Sequence, residues 1–77
     1  MLELYISETC PYSRKVLDYF DDNHIAYLKH DISEPQNLKV LLEKGGKAQV
    51  PFMVDDEHDL SLYESDDIID YAKRLYR

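Results

Sequence analysis

Within the first twenty residues the hydrophobic pattern changes period, and that switch constrains the fold more than any other feature of the chain. Leu2, Leu4 and Ile6 alternate with Glu3 and Tyr5, the period of two expected of a half-buried strand. Further on, Val16, Leu17 and Phe20 form a helical stripe, with Lys15, Asp18 and Asp21 on the opposite side. Thr9-Cys10-Pro11-Tyr12-Ser13 lies between the two patterns. Pro11 suits the first helical position, where its missing N–H removes nothing the helix needs, so Cys10 is predicted as the N-cap residue. A side chain there faces unpaired backbone N–H groups and the positive end of the helix dipole, which favour an anion. For cysteine the anion is the nucleophilic thiolate, whose pKa in such places falls from about 8.5 to roughly 3.5–7.5.

The remaining pattern extends this start into an alternation of strands and helices. Asp22-Asn23-His24 closes the first helix, and residues 25–31 read as a second strand. On that strand Ala26, Leu28 and the stem of His30 share one face, with Ile25, Tyr27 and Lys29 on the other. Ser33-Glu34-Pro35-Gln36 matches a capping box for a second helix with Leu38, Leu41 and Leu42 on its buried face. Gly45-Gly46 then ends it with residues that accept positive φ. Phe52-Met53-Val54 and Leu60-Ser61-Leu62, joined by the turn Asp55-Asp56-Glu57-His58-Asp59, predict a β-hairpin. Ser65 is expected to cap a third helix, with Asp66 and Asp67 in its first turn and Lys73, Arg74 and Arg77 near its end. Ile68, Ala72 and Leu75 make its apolar stripe, flanked by Ile69 and Tyr76. The order β-α-β-α-β-β-α defines an α/β fold. A right-handed crossover makes the first two strands parallel, giving a four-stranded mixed sheet flanked by three helices.

Size and charge narrow the function. With 77 residues the chain is expected to form a single domain, residues 1–77. One cysteine excludes an intramolecular disulfide, and no Cys/His cluster has metal-ligand spacing, so folding rests on packing. A net charge of −7 argues against nucleic acid as a partner, because affinity for phosphate comes mainly from Lys and Arg. Only residues 34–51 are slightly basic. The first residues lack a basic region followed by a long apolar stretch, so no secretory signal is expected, and no apolar run approaches the roughly 20 residues needed to cross a bilayer. A lone cysteine without an export signal predicts a reducing cytoplasm, with no membrane partner.

Three motifs in order carry a resemblance that covers essentially the whole chain. Cys10-Pro11-Tyr12-Ser13 at a strand-to-helix junction and Val50-Pro51 before the third strand resemble the glutaredoxins of the thioredoxin superfamily. The last, residues 62–71 (Leu-Tyr-Glu-Ser-Asp-Asp-Ile-Ile-Asp-Tyr), also resembles the N-terminal domain of glutathione S-transferases. The resemblance implies a thioredoxin-like fold in which Cys10 is the attacking thiolate. It further implies that Pro51 is a cis-proline and that Val50 offers its backbone N–H and C=O to glutathione. Glu64-Ser65-Asp66 would hold the γ-glutamyl end: backbone N–H groups and the Ser65 hydroxyl can take a carboxylate, and Glu64 or Asp66 can pair with an amine. Lys47 is implied as a partner for the glycine carboxylate. Tyr12 is placed to border the sulfur and contact glutathione, or to stand as an exposed aromatic.

Three departures from the glutaredoxin pattern bear on mechanism. Ser13 stands where many glutaredoxins carry a second cysteine, so no intramolecular thiol can resolve a mixed disulfide. Ser7 replaces a lysine that often stabilises the thiolate, and Tyr63-Glu64 replaces paired glycines, as in the transferases. Arg14, one helical turn after Cys10, and its neighbour Lys15 are candidate cations for the thiolate. The expected activity is monothiol thiol–disulfide exchange with glutathione as cosubstrate, on glutathionylated or disulfide-containing partners, by a monomer. Two alternatives belong to other classes: a glutathione-ligated [2Fe-2S] cluster shared by two chains, disfavoured by Pro11-Tyr12, and a non-catalytic glutathione- or protein-binding module. Transferase activity is less expected, because the helical domain that builds the electrophile pocket in that family lies outside these residues.

Overall fold

A computed structural model, which describes residues 1–76, carries its elements in the expected order. They are β1 (Leu2–Ile6), α1 (Pro11–Asp22), β2 (Tyr27–Asp31), α2 (Pro35–Gly45), β3 (Phe52–Asp55), β4 (Leu60–Leu62) and α3 (Ser65–Leu75). Arg77, expected near the end of the third helix, lies outside the described residues. The four strands form one sheet in the order β2-β1-β3-β4. β1 runs parallel to β2, with Leu2 opposite Tyr27 and Ile6 opposite Asp31, and antiparallel to β3, with Tyr5 opposite Phe52. β3 and β4 are the antiparallel hairpin.

Each face of the sheet has its own apolar layer. Leu2, Leu4, Ile6 and Met53 pack with Val16, Leu17 and Phe20 of α1 and Ile68, Tyr71 and Ala72 of α3. On the other face Tyr5 and Phe52 meet Leu41 of α2. β1 is therefore covered on both sides, and Tyr5, expected on a half-exposed strand, is only 3% exposed. The cause is that α1 and α3 cover one face of this central strand and α2 covers the other. Each fully buried Leu, Ile or Phe contributes roughly 1.5–3 kcal/mol, so these two layers dominate the stability of a small domain.

Several local expectations are corrected. α2 starts at Pro35 with Glu34 as N-cap and no capping side chain, because proline takes the first helical position and moves the start past Ser33. Asp31 Oδ1 instead accepts the Ser33 N–H at 2.9 Å, an Asx turn. Leu41 alone of the three α2 leucines is buried; Leu38 is half-buried and Leu42 exposed. β2 begins at Tyr27; it is an edge strand, and Leu28 faces solvent. In α3 the buried positions are Ser65, Ile68, Tyr71 and Ala72, while Leu75 is exposed. Ser65 is thus the first helical residue, and Glu64 is the N-cap.

Candidate active site

Cys10 stands where strand β1 has ended and α1 begins. It is the N-cap of α1, in extended conformation, with Pro11 following as the first helical residue. Its N–H donates to the Ser7 carbonyl at 3.0 Å and its own carbonyl accepts the Arg14 N–H at 3.0 Å, so a tight turn fixes the residue on both sides. The thiol is free and partly exposed. Burial pushes its pKa up, but the backbone N–H and hydroxyl of Ser13 and the backbone N–H of Tyr12 outweigh that and lower it overall. The result is a thiol tilted toward thiolate and open to attack on an incoming sulfur.

The cations expected to help are engaged elsewhere. Arg14 divides its guanidinium between Glu8 Oε1 at 2.9 Å and Asp18 Oδ1 at 3.1 Å. Lys15 pairs with Asp66, bridging α1 to the start of α3. The groups that lower the thiol, Ser13 and Tyr12, belong to its own helix start, while Arg14 is held by Glu8 and Asp18. Ser13 also has a structural duty: its fully buried hydroxyl accepts the Ser7 N–H at 3.2 Å.

A cleft of about 420 Å³ opens from Tyr12, two residues after the thiol. Tyr12, Gln49, Val50, Pro51, Glu64, Ser65 and Asp66 line it. Six of the residues singled out from the sequence thus meet in one place, although they come from three separate stretches. The Val50–Pro51 peptide is cis. Glu64 holds φ at +66°, a left-handed value that a non-glycine residue adopts at a cost of about 1–3 kcal/mol. That turn leads the chain from β4 into α3 and leaves the Ser65 and Asp66 amides among the unpaired N–H groups of a helix start. Gln49 Nε2 donates to Glu64 Oε2 at 3.1 Å, joining the two walls.

Lys47 does not line the cleft. Its ammonium lies over the Tyr63 ring, 4.5 Å from the centroid, a cation–π contact. One residue of the site, and one that serves the fold, were not singled out by sequence reasoning. Gln49 was signalled only by its place directly before Val50-Pro51. Asp55, read as part of an acidic turn, is fully buried at the opposite end of the sheet and serves the fold. Among the described residues no group of three or more His, Cys, Asp or Glu side chains is arranged to hold a metal ion, and no helix is long and apolar enough to cross a membrane.

A thioredoxin-like α/β domain with a free thiol at a helix N-cap and a cis-proline cleft that opens two residues further on is the class these features define. The chain belongs to the family described as glutathione S-transferase, N-terminal domain, whose model matches residues 4–77. A mutant of human glutathione S-transferase T1-1 is 26% identical, with a TM-score of 0.84 over 99% of this chain and 32% of that one. Human glutathione transferase theta-2, solved in complex with glutathione and an unknown ligand, is 24% identical, with a TM-score of 0.85 over 99% of this chain and 32% of that one. A mutant thioredoxin-like protein shares the fold over 100% of both chains, with a TM-score of 0.82 and 20% identity. The chain spans about a third of the length of the transferases it matches. No curated protein sequence matches it.

Proposed function

We propose that the chain is a glutathione-dependent thiol–disulfide oxidoreductase working through Cys10 alone, as a monomer in a reducing cytoplasm. The observation that carries this reading is the lowered, accessible thiol at the start of α1, on the same helix start as a cleft wall built by Tyr12. In that cleft the Ser65 hydroxyl and the amides at the start of α3 take the γ-glutamyl carboxylate, while Glu64 or Asp66 pairs with its amine. The Val50 backbone aligns the cysteinyl peptide beside Pro51, and Tyr12 covers the sulfur. Lys47 serves the glycine carboxylate only once its ammonium leaves the Tyr63 ring.

The chemistry is two exchanges at sulfur. The Cys10 thiolate attacks the glutathione sulfur of a mixed disulfide; a Cys10–glutathione disulfide forms, and the substrate thiolate leaves and takes a proton. A second glutathione thiolate then attacks the glutathione sulfur on Cys10, releasing glutathione disulfide and restoring the Cys10 thiolate. Ser13 cannot perform the second step, which is why an external thiol is required. Turnover of a mixed disulfide between glutathione and a small thiol tests this. It is expected to saturate with glutathione and to fall at least about 100-fold in Cys10→Ala, which lacks the nucleophile.

The family match favours a second reading, in which these residues are the glutathione-binding part of a transferase. It predicts glutathione binding without disulfide turnover, and saturable glutathione binding by a native protein that shows no such turnover would establish it over the first.

A further inference from the structure

The two walls of the cleft, residues 49–51 and 64–66, are far apart in sequence, and one hydrogen bond between exposed side chains, Gln49 to Glu64, is little to hold them in register. A stronger tie runs through Tyr63, immediately before the second wall. Its hydroxyl donates to the Lys47 carbonyl at 2.9 Å and accepts the Lys47 N–H at 3.2 Å, so both backbone groups of one loop residue end on one phenol. The ring packs on Phe52, the residue after Pro51, with centroids 4.5 Å apart. It also carries the Lys47 ammonium on its face. Gly45, the last residue of α2, leaves the space for this: a Cβ there would lie 2.1 Å from the Tyr63 hydroxyl and 2.8 Å from the ring carbon bearing it.

We propose that Tyr63 is a positioning residue that bolts the loop 46–50 to the start of α3 and thereby sets the width of the cleft for the peptide backbone of its ligand. This rests on the reading of the cleft as a glutathione site. Tyr63 touches no reacting atom. Its effect is on how well Val50 and Ser65 grip a ligand at the same time, and the chemistry at Cys10 is independent of it. Gly45 is the second half of the device, since any side chain at that position expels the hydroxyl.

Tyr63→Phe removes the two hydrogen bonds and keeps the ring against Phe52. In the free protein, amide hydrogen exchange at Lys47, Ala48, Gln49 and Val50 is expected to accelerate at least tenfold, with α1 and the Cys10 turn unchanged. In turnover, KM for glutathione is expected to rise about three- to tenfold, with kcat at saturation and the rate of Cys10 alkylation within twofold of the native protein. Gly45→Ala, which leaves Tyr63 intact, is expected to reproduce both effects, and the double variant to be no worse than either single one. Native exchange in residues 47–50 of both single variants would overturn the bolt. Accelerated exchange with an unchanged KM would overturn its role in binding. Absence of saturable glutathione binding by the native protein would instead remove the glutathione reading, while exchange still decides whether Tyr63 holds the loop.

Discussion

The backbone N–H of Ser7 donates to the Ser13 hydroxyl over 3.2 Å, and the Ser7 carbonyl accepts the Cys10 N–H at 3.0 Å. One residue of the loop after β1 thus holds both ends of the Cys10-Pro11-Tyr12-Ser13 segment. Ser13 occupies the position of a resolving cysteine in the resembling family, but here it anchors the loop and lowers the thiol. Ser13→Ala leaves the Ser7 N–H without an acceptor and removes one donor from the thiolate. Stability is expected to fall by about 1 kcal/mol in thermal or urea denaturation. The pH profile of Cys10 alkylation should shift upward, and an unshifted profile would show that the Ser13 hydroxyl does not act on the sulfur.

Arg14 is expected to matter little for that profile. Its guanidinium is shared by Glu8 and Asp18, all on the surface, and such pairs contribute about 0–1 kcal/mol each. Arg14→Gln should leave the alkylation rate of Cys10 at neutral pH within about twofold, since a one-unit pKa change would require about 1.4 kcal/mol of lost interaction. A tenfold slower rate would restore the cation to the site.

Glu64 sets stability against function. Its φ of +66° is strained for any residue but glycine, and its carboxylate accepts the Gln49 side chain. Glu64→Gly is expected to stabilise the fold by about 0.5–1 kcal/mol, read as a higher melting temperature. Glutathione binding should weaken about tenfold in the same variant, a loss of about 1.4 kcal/mol typical of one charge-assisted contact. Changes of the same sign in both measurements would contradict this account.

Asp55 makes stability depend on pH at both ends of the scale. Its carboxylate has no solvent exposure and accepts the Tyr71 hydroxyl at 2.6 Å, the Tyr76 hydroxyl at 2.7 Å, His58 Nδ1 at 2.9 Å and the Glu57 N–H at 3.1 Å. Burial alone would push its pKa up, but the hydrogen bonds from Tyr71, Tyr76 and His58 hold it well below the usual carboxylate range. A carboxyl depressed on folding stabilises the native state above its unfolded value, about 3.9, and loses that contribution as pH falls further. Burial, and then the hydrogen bond and charge of Asp55, push Tyr71 up to about 12. That contribution is complete below about pH 10 and is lost as pH rises through the folded value. Melting temperature is therefore expected to drop as pH falls below about 4 and as it rises above about 10. Asp55→Asn should lower stability between these limits by about 2–3 kcal/mol and flatten the acid flank. An acid flank as steep as the native one would assign it to other carboxylates.

These particulars show what the sequence carried and what it did not. The junction at Cys10 was legible because strand period, proline and helical stripe are all local signals, and each agrees with the others. The hairpin and the glycine stop of α2 were legible for the same reason. Asp55 was not, because its burial depends on Tyr71 of α3 and Tyr76 at that helix's C-cap reaching it, and an acidic pentapeptide otherwise reads as a solvated turn. Ser33 and Ser65 were each placed at an N-cap, but Pro35 moved one helix start and the positive φ of Glu64 moved the other by one residue. The glycine-carboxylate role of Lys47 is implied by the resemblance alone, and the contact of its ammonium with the Tyr63 ring is one that no spacing rule signals.

The most direct test of the central claim is intact mass after treatment with glutathione disulfide. The native protein is expected to gain a single glutathione adduct that an excess of glutathione removes, and Cys10→Ala to gain none. No adduct on the native protein, or an undiminished adduct on Cys10→Ala, would contradict Cys10 as the exchanging thiol.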